Sequence, residues 1–167
     1  WRKFHVAVDA KTGDVIACDL TSSRAQDPTR VPALISQIEN PLASASADAA
    51  YDAKVVYEAL ANHTEDRVPR VLIPPKKNAI LDEKNESLSE RNRNIRSRNK
   101  QGKRKWGAQS GYNRRSLVEN TFSRYKKIIG PMLRARTLQG QRVEARIGSK
   151  ILNMMTGLGM PKTERIG

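Results

Sequence analysis

The chain is 167 residues long and carries 31 Lys and Arg against 17 Asp and Glu, a formal charge of +14. That length fits a single domain, 1–167, with a core of its own, and the charge favours a polyanionic partner. One cysteine, Cys18, excludes a disulfide framework and a cysteine-based zinc cluster and fits a reducing compartment. The longest apolar run is the four residues from Val15 to Cys18, against about 18 for a membrane span, and no hydrophobic leader segment follows the N-terminus. The expectation is a soluble, cytoplasmic protein. Trp1 opens directly into a strand pattern, so the chain is expected to be a piece of something longer.

Phe4, Val6 and Val8 alternate with His5 and Ala7, and a second alternation runs through Val15, Ala17 and Asp19. With the turn formers from Asp9 to Asp14 between them, residues 3–20 are expected to form a β-hairpin. Asp27-Pro28 starts a helix over 28–39 with Val31, Leu34, Ile35 and Ile38 on one stripe. Residues 42–47 are expected to be a short buried strand ending at Asp48. Asp52 is spaced to cap a helix over 53–62, and Arg70 to Ile73 reads as another short buried strand closed by Pro74-Pro75. This order is α/β.

From Lys76 to Trp106 only six of 31 residues are hydrophobic, too few for a core, so 76–106 is expected to be a basic loop or insert with a polar helix near 88–101. Two amphipathic helices close the chain. One, over 113–129, carries Val118, Thr121, Phe122, Tyr125, Ile128 and Ile129; the other, over 141–157, carries Val143, Ile147, Ile151, Leu152 and Met155.

Charge is placed unevenly. Residues 1–90 hold 11 bases and 14 acids, a net of −3, whereas residues 91–167 hold 20 bases and three acids, a net of +17. Eight bases fall between Arg91 and Lys105 with no acid among them. Such asymmetry is the footprint of nucleic-acid binding, since Lys and Arg release counterions from phosphates; the alternative is a solvated basic loop. Trp106, after Lys103, Arg104 and Lys105, either stacks on an extruded or single-stranded base or anchors the loop on the core.

Between Glu90 and Glu144 the one acid is Glu119. On a helix, Arg115, Glu119, Phe122 and Lys126 share a stripe, with Tyr112 just before it. The plain reading is an exposed Arg115–Glu119 ion pair. The functional one is a metal ligand set in a phosphate-binding surface, with Asp48, at the end of a strand, as the second carboxylate.

Asp48-Ala49-Ala50-Tyr51-Asp52 and the spacing Tyr112-x2-Arg115-x3-Glu119-x6-Lys126 resemble the second-aspartate motif and the Tyr-Arg-Glu-Lys signature of bacterial insertion-sequence transposases with a DDE catalytic domain, in the family-four and family-five group. The likeness extends through Trp1 to Asp9, Gly111 to Arg115 and Leu133 to Arg136, so it covers essentially the whole chain; Ala49 stands where many relatives carry glycine. It implies an RNase H-like mixed sheet flanked by helices and cut-and-paste chemistry on DNA. It also implies two Mg2+ ions, with Mn2+ as a substitute, held by two aspartates and a glutamate. Asp48 and Glu119 would be the second and third carboxylates, Arg115 and Lys126 would hold DNA phosphates, and Tyr112 would position the glutamate helix or the strand being cut. Apart from the resemblance, the basic run of Lys103, Arg104 and Lys105, with Trp106, is expected to add to the DNA-binding surface. The partners would be terminal-repeat and target DNA and, in the complete protein, further copies of the chain, with no membrane.

In relatives the first aspartate lies on a central strand ahead of the segment that starts here at Trp1. The expectation is therefore a sheet lacking that strand, with an unpaired edge, and no transposition by this chain alone. Asp9 is a conceivable substitute, but its place before Ala10-Lys11-Thr12-Gly13 points to a turn. The rival functional reading is a non-catalytic DNA-binding remnant or regulator of transposition; a basic RNA-binding protein is a third, for which no module is recognisable.

Overall fold

The computed structural model describes residues 1–64 and 67–159, with the backbone alone of Asn113 and Arg114. The last residues of the expected 1–167 domain, and the Asn113 and Arg114 side chains of the Gly111–Arg115 motif, lie outside the described set.

Strands β1, Arg2–Val8, and β2, Val15–Ser22, form an antiparallel hairpin with a bulge at Ala7/Val8. The Asp9 carboxylate accepts the backbone N–H groups of Lys11 and Thr12 at 2.6 and 2.9 Å, and Gly13 N–H donates to Asp9 O. Asp9 is thus spent on the turn, as its sequence context indicates, and those N–H donors hold its carboxyl below the usual range.

A 3-10 turn at Asp27–Arg30 leads into α1, Val31–Ile35, shorter than the expected 28–39 helix; Leu34 is its buried residue. Strand β3, Ser44–Ser46, pairs parallel with β4, Arg70–Leu72, across α2, Lys54–Ala61. β4 is buried as its composition requires, but β3 is not: Ser44 and Ser46 are exposed and Ala45 is half-buried. The expectation of a buried strand is corrected here, because among the described residues only one side of β3 has a strand beside it.

Asp52 does not cap α2; Ala53 occupies that position without a side-chain cap. The Asp52 carboxylate is instead fully buried, accepting from Arg91 Nε at 2.8 Å, Lys76 N–H at 2.8 Å and Tyr57 Oη at 3.3 Å. A buried carboxylate is tolerated when paired and hydrogen-bonded, and this one ties α2 to α3, Ser89–Gln101. A further helix unforeseen from the sequence, α4, Lys103–Ser110, follows. A 3-10 turn over Tyr112–Ser116 then leads to α5, Leu117–Ile128, and the chain's longest described helix is α6, Leu138–Gly157.

Two cores result. Val56, Tyr57, Leu60, Val71, Ile73 and Leu88 pack α2 onto β4. Val15, Cys18, Tyr125 and Leu152 pack the hairpin against α5 and α6, with Phe4, Val6 and Ile129 beside them. α1 touches both β2 and α2 and so links the two. Against expectation, Val143, Ile147, Ile151 and Met155 of α6 are exposed, and its inward face is Ala145, Gly148, Ser149 and Leu152. Gly148 lies directly under the Tyr125 phenol, where a Cβ would collide with Oη; small residues face inward because the helices approach that closely. The fold is mixed α/β, with two two-stranded sheets and six α-helices among the described residues.

Both sheets have one edge closed by side chains, most of them from helices. The Asn153 amide of α6 accepts from Val15 N–H at 2.8 Å and donates to Val15 O at 2.9 Å, while Gln37 accepts from Cys18 N–H and Arg142 donates to Leu20 O. On β4, Glu90 accepts from Val71 N–H at 3.0 Å and Asn94 donates to Val71 O at 2.7 Å. Side chains here do what a neighbouring strand would do. β1 and β3 have no such side-chain partners on their other edges among the described residues.

Candidate active site

The site is assembled from the end of β3, the turn after α4 and the first turn of α5. Asp48 follows β3 in extended conformation, φ −66° and ψ 161°, and its side chain makes no cap hydrogen bond to the 3-10 turn that begins there. Glu119 sits in the first turn of α5, where a carboxylate is favoured by the helix dipole. Gly111, at φ 81°, ends α4 in a left-handed conformation that suits glycine and turns the chain toward Tyr112.

Arg115 brings the two carboxylates together. Its Nη1 lies 2.9 Å from Asp48 Oδ1 and 3.3 Å from Glu119 Oε1. Side-chain exposure is 29% for Arg115, 54% for Asp48 and 66% for Glu119, so the cation is the more enclosed partner and both acids open to solvent. The Arg115 guanidinium carbon stands 5.7 Å from the centre of the Tyr112 ring, within cation–π range. Tyr112 Oη is 3.5 Å from Asp48 Oδ1. Burial raises the Tyr112 phenol above its ordinary value, with Arg115 opposing and Asp48 adding to the shift, so it stays a neutral donor.

Trp106 is corrected as a DNA-facing residue. It is 3% exposed and packs against Tyr112 with ring centres 5.5 Å apart, so its indole is used to hold the tyrosine from behind. Lys103, Arg104 and Lys105, one turn or less before it, are exposed. Lys126 is exposed two turns along α5 from Glu119, about 10 Å further down the helix axis. Phe122, between them, turns inward onto Phe4 at 6.1 Å. Of the expected set, the fold therefore gathers Asp48, Tyr112, Arg115 and Glu119 at one point, sets the Lys103–Lys105 run and Lys126 on the surface, and buries Trp106.

Sequence reading missed Glu144. Its carboxylate accepts the backbone N–H groups of Arg134 and Ala135 at 2.8 to 2.9 Å, fixing the Leu133–Arg136 segment on α6, and those donors lower its pKa. A lone acid in a basic stretch marks Glu144 as it marks Glu119.

Among the described residues no group of three or more His, Cys, Asp or Glu side chains could hold a metal ion. Two carboxylates do converge, and a hard divalent cation completes such a pair with water and substrate phosphate. A two-ion set calls for a further carboxylate. No described helix is long and apolar enough to cross a membrane.

No solved structure matches the chain. A family model described as Transposase DDE domain matches residues 1–155, nearly the whole chain. The chain belongs to the DDE transposase domain family.

Proposed function

We propose that the chain supplies two of the metal-binding carboxylates and the DNA-gripping surface of a transposase that cuts the ends of a mobile element and joins them to target DNA. The observation that carries the reading is the convergence of Asp48 and Glu119, from distant parts of the chain, on one nitrogen of Arg115. Asp48 and Glu119 would hold Mg2+ or Mn2+, which when bound polarises a phosphate and lowers the pKa of a water. Water attacks the phosphorus at an element end and the bond from phosphorus to the 3′ oxygen breaks; the freed 3′-hydroxyl then attacks a target phosphate, joining to it as the target's own bond from phosphorus to its 3′ oxygen breaks and leaves a 3′-hydroxyl on the target. Arg115 and Lys126 would seat the phosphates and take up their charge, as bidentate and point cations respectively. Tyr112, backed by Trp106, keeps Asp48 and Arg115 in register, while Lys103, Arg104 and Lys105 extend the basic track.

The two open edges bear on the third carboxylate. Helix side chains close β2 and β4, which leaves β1 and β3 as the edges able to accept a strand. We propose that a strand carrying the first aspartate bridges them, antiparallel to β1 and parallel to β3, and completes an RNase H-like sheet with the two-ion set. The basic 76–106 segment would be an insert in that one domain, and the complete protein would act as a multimer.

The alternative is a DNA-binding remnant or regulator that occupies element ends without cutting. It is favoured by there being two converging carboxylates, not three, among the described residues. Glu119→Gln discriminates. In a longer chain that includes the first-aspartate strand, the substitution abolishes Mg2+-dependent cleavage of terminal-repeat DNA, while DNA affinity of residues 1–167 stays equal or rises because a negative charge is gone. Metal-independent binding with no cleavage even by the longer chain would leave the remnant reading standing.

A further inference from the structure

We infer that Arg115 is a placeholder for the divalent ion: in the DNA-free protein its guanidinium fills the position between Asp48 and Glu119, and DNA draws it away by offering a phosphate, so that ion and DNA favour each other's binding. This deepens the reading of Asp48 and Glu119 as ion ligands and rests on it. A single nitrogen, Nη1, serves both carboxylates at 2.9 and 3.3 Å. An ion such as Mg2+ needs the same oxygens at about 2.1 Å, so guanidinium and ion exclude one another at that point. Left in place, Arg115 also cancels one of the two negative charges that attract the ion and repels the ion itself.

The arginine has an alternative partner of the right shape. A guanidinium matches phosphate as well as carboxylate, and Arg115 lies between Lys103–Lys105 and Lys126 in sequence, on the half of the chain with net charge +17. Tyr112, held by Trp106, faces the guanidinium at 5.7 Å. The ring gives the head group a surface over which to turn without losing its aromatic contact. Asp48 and Glu119 are more open than Arg115, so the ion's route to them is unobstructed once the guanidinium leaves. By thermodynamic reciprocity, whatever factor DNA adds to ion affinity the ion must add to DNA affinity.

The test is Mn2+ binding to residues 1–167, followed by the electron paramagnetic resonance signal of free Mn2+, with and without a short random-sequence DNA duplex and with a DNA-only correction. Wild-type protein should bind Mn2+ at least about 5-fold more tightly with DNA present, the lower end of ordinary coupling. Arg115→Ala should bind Mn2+ several-fold more tightly than wild type without DNA, and DNA should then add little. Arg115→Gln, which keeps most of the side chain's bulk, should behave alike and replaces the alanine variant if circular dichroism shows that one misfolded. Unchanged or weaker DNA-free Mn2+ affinity in a folded Arg115 variant, while Glu119→Gln loses Mn2+ binding, would overturn the placeholder role and leave the ion site standing. Mn2+ binding that survives Glu119→Gln would overturn the ion site, and the placeholder with it.

Discussion

Asp48 and Asp52 stand four residues apart and are put to opposite uses. Asp52 is buried under three donors, whereas Asp48 is half exposed and meets Arg115 and the Tyr112 hydroxyl. Asp48 makes no cap bond to the turn it begins. The spacing that suggests Asp52 as a helix cap misleads, because the donors of Arg91 and Lys76 come from segments that no local pattern connects to it. Buried His5 is a third residue whose role only packing reveals. The Thr21 hydroxyl donates to Ser22 O at 3.1 Å and lies 2.9 Å from His5 Nε2, and burial pushes the imidazole below its ordinary value of 6.5, against the pull of Asp27 and Asp19. The folded state therefore binds this proton less readily than the unfolded chain. His5 should make the protein lose stability as pH falls from about 6.5 toward the lowered value, with its contribution fully present above that window. Melting curves taken between about pH 7.5 and 5 should show the loss, and His5→Gln should flatten it; a profile unchanged by the substitution would contradict the assignment.

At the scale of elements, period and turn chemistry located most of what is there. The hairpin, β4 and the bodies of α2, α3, α5 and α6 lie where alternation, helical spacing and Pro or Gly stops put them. Besides the shortened α1 and the exposed β3, two elements depart from expectation for reasons of packing. α4 is too polar to show an apolar period, and its burial rests on Trp106 alone. In α6 the bulky residues at 143, 147, 151 and 155 suggested the inward face, yet Tyr125 and β2 press so close that Ala145, Gly148 and Ser149 must occupy it. The edge clamps are likewise invisible in sequence, since Asn153 is 138 residues from the Val15 backbone it pairs with. Asn153→Ala leaves that N–H and carbonyl short of partners, and it should destabilise the protein by about 1–3 kcal/mol in denaturant unfolding. It should also promote self-association by exposing the β2 edge. A change within a few tenths of a kcal/mol would show that water serves Val15 equally well.

Across the whole molecule, the uneven charge maps onto helices more than onto sheets. The near-neutral residues 1–90 contain the four strands found among the described residues, and the +17 remainder holds α4, α5, α6 and most of α3. The candidate site lies where these halves meet, with Asp48 contributed by the first and Tyr112, Arg115 and Glu119 by the second. Its composition was legible because the Tyr-Arg-Glu-Lys spacing is a local helical pattern and Asp48 stands at a strand end; the contact of Asp48 with Arg115 was not legible, since no periodicity links residues so far apart. The most direct check is to map the cation with Fe2+, which occupies oxygen-ligand sites and, with ascorbate and peroxide, cuts the polypeptide next to where it is bound. Residues 1–167 loaded with Fe2+ should be cut near Asp48 and between Tyr112 and Glu119, and both sets of fragments should vanish in Glu119→Gln. Cuts that persist in that variant, or that fall elsewhere, would contradict a shared cation site at Asp48 and Glu119.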